Sequence, residues 1–148
     1  MRKTRRVLFL DFDGVLNAGR DGYGTLKRRH GRLVQAVHLM TGCEVVVSSA
    51  WRVGSTLERL RKTLRGIGYP GPVVGVTPQL SAPLERGDEI HRYLREECAA
   101  GRPVSQFAVL DDESDMRGVH THLVQTDTWD GLQRRDAMRA VRVLMGWP

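Results

Sequence analysis

The strongest constraint on the fold is an alternation of short apolar segments with longer segments of helical periodicity. The apolar segments are rich in β-branched side chains, which is typical of strands buried on both faces of a sheet. They occupy residues 7–10, 45–47, 73–74, 107–110 and 122–124. Strands that alternate with helices form parallel sheets covered by helices on both faces. We therefore predict one Rossmann-like, three-layer α/β domain over residues 1–148, with a mainly parallel sheet of about five strands.

Two helix boundaries are marked by single residues. A predicted helix that carries Leu33, Val37 and Met40 ends at Gly42, because glycine readily adopts the left-handed conformation of a helix C-terminus. A second predicted helix begins after Ser55, a residue type that commonly caps helix N-termini.

The net charge of the chain indicates which partners it could bind but does not identify a reaction. The net charge is +6, and most of the basic residues are arginines. A basic balance favours polyanionic partners, because lysine and arginine attract phosphates and release their counterions. It is equally typical of solvated helix faces, so the charge alone leaves both interpretations open.

The chain shows no signal for secretion or for membrane insertion. Its first apolar segment ends at Leu10, short of the roughly 7–15 residues of a secretory signal core, and no stretch approaches the ~20 apolar residues of a membrane helix. Cys43 and Cys98 form no CxxC pair, which fits a reducing compartment. We expect a cytoplasmic protein with no membrane association.

Polar residues follow three of the predicted strands directly. Ligands of open α/β sheets bind beyond the carboxyl ends of the strands. That rule selects the candidate site residues Asp11, Asp13, Ser48, Ser49, Asp111 and Asp112.

Asp11 and Asp13 stand at positions i and i+2 of an extended segment, so their carboxylates are expected to point the same way. One carboxylate can act as a nucleophile while the other acts as general acid and then as base. Gly14 permits a tight turn after them. The alternative is a purely structural turn, since aspartate often ends a strand.

Asp111 and Asp112 form a second carboxylate pair, with Asp115 three residues on. Adjacent acids at the end of a buried strand repel each other unless a cation joins them. Oxygen ligands of this kind suit Mg²⁺. The alternative is a cap or turn before a short helix.

Three further features have both a functional and a structural interpretation. Ser48 or Ser49 can bind a phosphoryl oxygen, or cap the next helix. Trp51 and Arg52 can stack on a terminal base or bind a neighbouring phosphate, or serve as helix-start packing and a surface ion pair. Arg86, at the start of a predicted helix, can neutralise a phosphate and a nucleophilic carboxylate, or lie on the surface.

The order of these features resembles the four motifs of the haloacid dehalogenase (HAD) superfamily of phosphohydrolases. DFDGVL is similar to the first motif, VVVSSAWR to the second and VLDDESD to the fourth, and Arg86 stands where the third motif more commonly has lysine. The similarity extends from Val7 to about Asp130. It implies a phosphatase that forms an aspartyl-phosphate and depends on Mg²⁺.

The resemblance implies a role for each acidic residue. Asp11 would be the nucleophile, and Asp13 would protonate the leaving alcohol and then activate water. Mg²⁺ would be held by Asp11, by Asp111, by Asp112 through a water molecule and by the backbone carbonyl of Asp13. Asp115 remains an alternative to Asp112.

The same resemblance implies how the phosphate is bound. Ser48 would contact a phosphoryl oxygen, with Ser49 as the alternative, and Arg86 would balance charge. Arg52 is a further candidate phosphate ligand.

A narrower similarity concerns the strings SSAWR, RGDEI, LDDESDM and LVQTDTWDGL. They resemble the small HAD domains of multi-domain RNA-repair proteins, which are thought to remove end phosphates. About 34 residues separate Asp13 from Ser48, and about 37 separate Ser48 from Arg86. Core elements fill both intervals, so we expect no cap domain and an open site with residues 14–24 as a flap.

An open site suits a phosphate carried by a large molecule. We therefore expect a polynucleotide phosphatase that acts on RNA or DNA ends, as a monomer or weak homodimer. A small-molecule (nucleotide) phosphatase, a phosphoprotein phosphatase and a non-catalytic module that binds phosphorylated ends remain alternatives.

Overall fold

The computed structural model of the chain describes residues 4–81 and 85–148. Its centre is a five-stranded sheet with the order β3-β2-β1-β4-β5, in which every neighbouring pair is parallel. The strands are β1 (Arg6–Leu10), β2 (Glu44–Val47), β3 (Val73–Val76), β4 (Gln106–Asp111) and β5 (Leu123–Gln125). The predicted α/β class and strand number are confirmed. β3 runs two residues beyond its predicted end, and His122 belongs to a 3₁₀ turn rather than to β5.

Four helices flank the sheet: α1 (Arg28–Thr41), α2 (Leu57–Gly66), α3 (Arg86–Ala99) and α4 (Arg134–Met145). Gly42 ends α1 in the left-handed conformation, with φ of 73°, as predicted. The predicted cap of α2 is wrong by one residue: Thr56, not Ser55, is the N-cap, and its side chain accepts a hydrogen bond from the backbone N–H of Arg59. Three 3₁₀ turns, Gly19–Asp21, Ala50–Arg52 and His120–His122, connect the larger elements.

The helices form two layers of unequal size. Apolar residues of α1, α2 and α4 pack on one face of the sheet against Leu8, Leu10, Val45 and Val47. On the opposite face, α3 packs against a smaller cluster of strand residues, which comprises Val7, Phe9, Val46 and Val109. The three-layer arrangement is the one predicted, and every strand of its centre contributes residues with no exposed surface or almost none.

The strand order reverses at the centre of the sheet. β1, β2 and β3 are successive neighbours on one side of the sheet. The chain then crosses through α3 to the other side of β1, where β4 and β5 follow. The switch point therefore lies between β1 and β4, and the crevice beyond their carboxyl ends is where such folds bind ligands.

No inserted cap interrupts this core within residues 4–81 and 85–148. The loop between β1 and α1 contains a single 3₁₀ turn and is held to the loop after β5. In these contacts the N–H of Gly19 donates to Thr128 and that of Arg20 donates to Trp129, both at carbonyl oxygens. None of the helices among the described residues has the length and apolar character needed to cross a bilayer. Cys43 is buried and Cys98 exposed.

Candidate active site

The backbone ladders of the sheet continue one residue past the carboxyl ends of its inner strands. The N–H of Asp11 donates to the carbonyl of Leu110 at 3.0 Å, and the N–H of Ser48 donates to that of Leu10 at 2.9 Å. Backbone pairing therefore fixes the positions of these polar residues, even though they lie outside regular strands.

The same pairing determines which way the side chains point. Successive residues of an extended chain alternate between the two faces of a sheet. Phe9 and Val109 face α3, so Asp11 and Asp111, two residues further on, project to the same side. Ser48 bears the same relation to Val46. The predicted nucleophile, the second acidic motif and a serine thus converge on the N-terminal end of α3.

Arg86, the first residue of α3, connects the two acidic motifs. Its Nη1 lies 3.0 Å from Asp11 Oδ1 and 2.7 Å from Asp111 Oδ2. Its own position is fixed through the backbone, because the N–H of Arg86 donates to Asp115 Oδ2 at 3.1 Å and that of Gly87 donates to the Asp115 carbonyl at 3.1 Å. A methyl group on Gly87 would lie only 2.6 Å from the carbonyl oxygen of Arg117, so this close approach requires glycine.

Three carboxylates converge beside Arg86. Ligand atoms of Asp11, Asp111 and Asp112 all lie within 4.8 Å of one another. Asp112 is brought close by Gly14, whose φ is 79° and whose position leaves no room for a side chain: an added Cβ would lie 2.1 Å from Asp112 Oδ2. Asp115 is not part of this cluster, and its carboxylate accepts the hydrogen bond from the N–H of Arg86. The geometry therefore favours Asp112 over Asp115 as a ligand.

The cluster contains three acidic side chains and, among the described residues, one basic side chain. Burial raises the pKa of Asp111 to about 8, the negative charge of Asp11 adds to the rise, and Arg86 opposes it. Burial also raises the pKa of Asp11, again against Arg86. Among the residues that the structure describes, Arg86 is the one cation in ion-pair contact with these carboxylates. Three converging oxygen ligands with uncompensated charge fit a divalent metal ion.

Asp13 differs from Asp11 in its surroundings. It is exposed, and both of its carboxylate oxygens accept hydrogen bonds. Asn17 Nδ2 donates to Oδ1 at 2.9 Å, and the indole Nε1 of Trp51 donates to Oδ2 at 3.0 Å. The structure thus gives Asp11 a buried position within the carboxylate cluster and leaves Asp13 accessible from solvent. Neither contact of Asp13 was predicted, since neither Asn17 nor Trp51 has a sequence signal that links it to an aspartate.

The two serines after β2 have different partners. Ser49 Oγ accepts a hydrogen bond from the backbone N–H of Trp51 and so caps the 3₁₀ turn Ala50–Arg52. Ser48 Oγ is buried and has no partner within the described residues. An unpaired buried hydroxyl is costly, so Ser48 is the better candidate for a ligand contact.

Thr77 was missed by the sequence analysis. Its N–H continues the ladder to Val47 at 3.0 Å, and its buried Oγ1, like that of Ser48, has no partner among the described residues. The strand-end rule would have found Thr77 had β3 been extended to Val76. We assign it no role.

Arg52 lies beneath the site rather than at its surface. Its side chain is 7% exposed, and its guanidinium contacts Glu89 at 2.9 Å, the Thr77 carbonyl at 2.9 Å and the Ser49 carbonyl at 2.8 Å. Through these contacts Arg52 anchors the loop after β2. The sequence had instead suggested that Arg52 is a phosphate ligand.

Comparison with known proteins identifies the family of the chain. A model of the family described as the HAD domain in Swiss Army Knife RNA repair proteins matches residues 7–137. The chain belongs to this family. The match begins in β1 of this HAD domain and ends in α4, so it contains every candidate site residue, and the resemblance inferred from the motifs is confirmed. No curated protein and no solved structure matches the chain.

Proposed function

We propose that this HAD domain is a Mg²⁺-dependent phosphomonoesterase that removes terminal phosphates from RNA or DNA through an aspartyl-phosphate on Asp11. One observation carries the proposal: Asp11 is buried at the switch point of the sheet, paired with Arg86 and adjacent to two further carboxylates. A carboxylate with this surplus of acidic neighbours suits a metal ion and the phosphate that the metal attracts.

The metal site would consist of Asp11, Asp111 and Asp112, with the backbone carbonyl of Asp13. Bound Mg²⁺ would offset the negative charge that builds up on the transferring phosphoryl group. Arg86 supports the same charge from the other side, because its guanidinium already contacts Asp11 and Asp111. Ser48 Oγ, which has no other described partner, would donate a hydrogen bond to a phosphoryl oxygen.

The reaction would proceed in two steps. A carboxylate oxygen of Asp11 attacks phosphorus in line, the ester P–O bond breaks, and Asp13 gives its proton to the leaving alcohol. Asp13 then takes a proton from water as that water attacks the phosphorus of the aspartyl-phosphate. The products are inorganic phosphate and the original Asp11 carboxylate, and the exposed position of Asp13 allows access to both the alcohol and the water.

Four observations favour a nucleic-acid end as the substrate. The described residues contain no cap domain, so a large phosphorylated molecule can reach Asp11. Trp51, hydrogen-bonded to Asp13, is 39% exposed, and its ring can stack on a terminal base. The chain also carries a net charge of +6. Its family is described as the HAD domain in Swiss Army Knife RNA repair proteins.

The decisive experiment measures phosphate release from matched RNA and DNA oligonucleotides phosphorylated at the 3′ or the 5′ end. We expect turnover that requires Mg²⁺, increases with oligonucleotide length and falls as the salt concentration rises. Asp11→Asn is the inactive control. Equal turnover of mononucleotides and oligonucleotides would instead favour a small-molecule phosphatase.

A non-catalytic end-binding module would give a different pattern. Wild-type protein with Mg²⁺ would then release no phosphate from any ester, and Asp11→Asn would bind phosphorylated oligonucleotides as well as wild type does. That combination would refute the proposed activity.

A further inference from the structure

The two hydrogen bonds to Asp13 suggest how this exposed side chain is held in place. Its Oδ1 accepts from Asn17, a fully buried residue whose own Oδ1 accepts from the N–H of Gly14 at 2.9 Å. Its Oδ2 accepts from the indole of Trp51 at 3.0 Å. An aspartate at a loop surface normally samples several rotamers, so two fixed donors on opposite oxygens restrict it to one orientation.

Trp51 is itself held in place from three directions. Ser49 Oγ accepts from its backbone N–H at 3.1 Å. Its ring packs edge-on against Phe12, with centroids 5.5 Å apart. Arg52, the next residue, is anchored by Glu89 and by the carbonyl of Thr77. The indole N–H is therefore a fixed donor, even though the side chain is partly exposed.

We propose that Trp51 is a positioning residue, whose indole N–H orients Asp13 toward the leaving oxygen of the substrate. This inference rests on the proposed phosphatase activity and extends it to a residue outside the carboxylate cluster. With the N–H engaged by Asp13, the ring face is the part of Trp51 that remains for the leaving group. The same side chain thus contacts both the proton donor and the group that receives the proton.

Two phosphate esters whose leaving groups differ in their need for a proton can distinguish the positioning of Asp13 from a general loss of structure at the active site. p-Nitrophenyl phosphate releases a stabilised phenolate that needs little help from an acid, whereas an alkyl phosphate such as glycerol 2-phosphate or a phosphorylated oligonucleotide needs a proton at the departing oxygen. A displaced Asp13 should therefore lower kcat/KM for the alkyl ester selectively, because kcat/KM reports the transfer of phosphate to Asp11 and not the later hydrolysis, in which Asp13 serves both esters alike. A loosened active site should slow both esters alike.

The test variant is Trp51→Phe, which keeps an aromatic ring and removes the N–H. Its matched control is Trp147→Phe, an exposed tryptophan that follows α4 at the opposite end of the sheet. We expect Trp51→Phe to lower kcat/KM on p-nitrophenyl phosphate by no more than about twofold. It should lower kcat/KM on glycerol 2-phosphate about tenfold, part of the roughly 10²–10⁴-fold that general acid catalysis contributes. Trp147→Phe should change neither value.

Combination with Asp13→Asn completes the test. If Trp51 acts through Asp13, Trp51→Phe should have no further effect on the alkyl ester in that background. Equal losses on both esters, no loss on either, or an additive loss in the double variant would overturn the positioning role and leave the phosphatase proposal intact. Absence of phosphate release by the wild type from both esters and from phosphorylated oligonucleotides would overturn both proposals.

Discussion

Each end of the sheet has an arginine that bridges two carboxylates, but the two sets of charges differ. At the carboxyl end, Arg86 bridges Asp11 and Asp111, whose side chains are 6% and 0% exposed. At the amino end, Arg5 bridges Glu44 and Glu97, which are 26% and 14% exposed. Arg102 also contacts Glu97 there, so two cations face two anions. At the carboxyl end, within the described residues, one cation faces three carboxyl groups once Asp112 is included.

The pKa values of the acidic residues are shifted in opposite directions at the two ends of the sheet. The hydrogen bond from Arg102 holds the pKa of Glu97 below its usual range, while burial opposes this shift and Arg5 adds to it. Burial and the nearby Asp11 instead raise the pKa of Asp111 to about 8. A balanced ion pair stabilises the fold, whereas a buried and unbalanced one is poised to receive another cation. The proposed function depends on that contrast.

The largest expected effect is the loss of catalysis on removal of the nucleophile. Asp11→Asn should lower phosphate release about 10⁴-fold or more, because an amide cannot form the acyl-phosphate. The matched change at the amino end, Glu97→Gln, should leave kcat within about twofold. Steady-state assays with p-nitrophenyl phosphate measure both, and comparable activity in wild type and Asp11→Asn would refute the assigned nucleophile.

Replacement of each arginine should separate catalysis from stability. Arg86→Ala should lower kcat by about 10²–10³-fold, as expected when one electrostatic donor to the transferring group is lost. Arg86→Lys should retain about a tenth of the activity, because a point charge cannot contact both aspartates as well. Arg5→Ala should leave kcat unchanged but reduce the free energy of unfolding by about 2 kcal/mol.

Activity assays and urea denaturation measure these two effects separately. If Arg5→Ala lost activity as fully as Arg86→Ala, the proposed division between the two ends would be wrong.

The two ends should also have opposite pH dependence of stability in protein treated with EDTA. The folded-state pKa of Asp111 lies above its unfolded value of about 3.9, so the folded state holds the extra proton. The stabilisation is complete at low pH and is lost as the pH rises toward 8. We expect the free energy of unfolding to fall by roughly 4 kcal/mol between pH 5 and pH 8.

Glu97 has the reverse sign, because its pKa is lowered on folding. Its stabilisation is present above the unfolded pKa of about 4.3 and is lost as the pH falls through the folded value. Urea denaturation from pH 3 to pH 8 measures both trends. Asp111→Asn should remove the decline toward pH 8, and added Mg²⁺ should raise stability more at pH 8 than at pH 5. A wild-type stability that rises from pH 5 to pH 8 in EDTA would contradict the assignment.

The smallest predicted effect separates the two candidates in the second acidic motif. Asp112→Asn should raise the Mg²⁺ concentration for half-maximal activity about tenfold, because Asp112 belongs to the carboxylate cluster. Asp115→Asn should change it less than twofold, since an amide oxygen can still accept the hydrogen bond from the N–H of Arg86. Activity titrated with MgCl₂ measures both values, and a larger effect of Asp115→Asn would reverse the assignment.

Several elements could be predicted because their signals are local. The apolar segments identified all five strands, since a strand buried on both faces needs an uninterrupted apolar run. Gly42 also marked the end of α1 correctly, because the left-handed conformation at that position favours glycine. The cap of α2 was misplaced, because Ser55 and Thr56 are both good caps and only the hydrogen bond to Arg59 distinguishes them.

Other features have no local signal. Arg52 looked like a phosphate ligand by its place in the chain, but its burial against Glu89 depends on how α3 packs. The choice between Ser48 and Ser49 likewise rests on which hydroxyl the 3₁₀ turn uses. Trp51 reaches Asp13 across 38 residues of sequence, a contact that no spacing rule predicts.

The sequence by itself determined the α/β class, the strand ends at which chemistry was to be expected, and Asp11 as the residue around which the site is built. These follow from hydrophobic periodicity and from the rule that parallel strands present their carboxyl ends together. The tertiary structure alone decided the balance of charge. Arg5 and Arg86 each bridge two acids, and only packing in three dimensions sets how many anions surround each arginine and how far water is excluded from them.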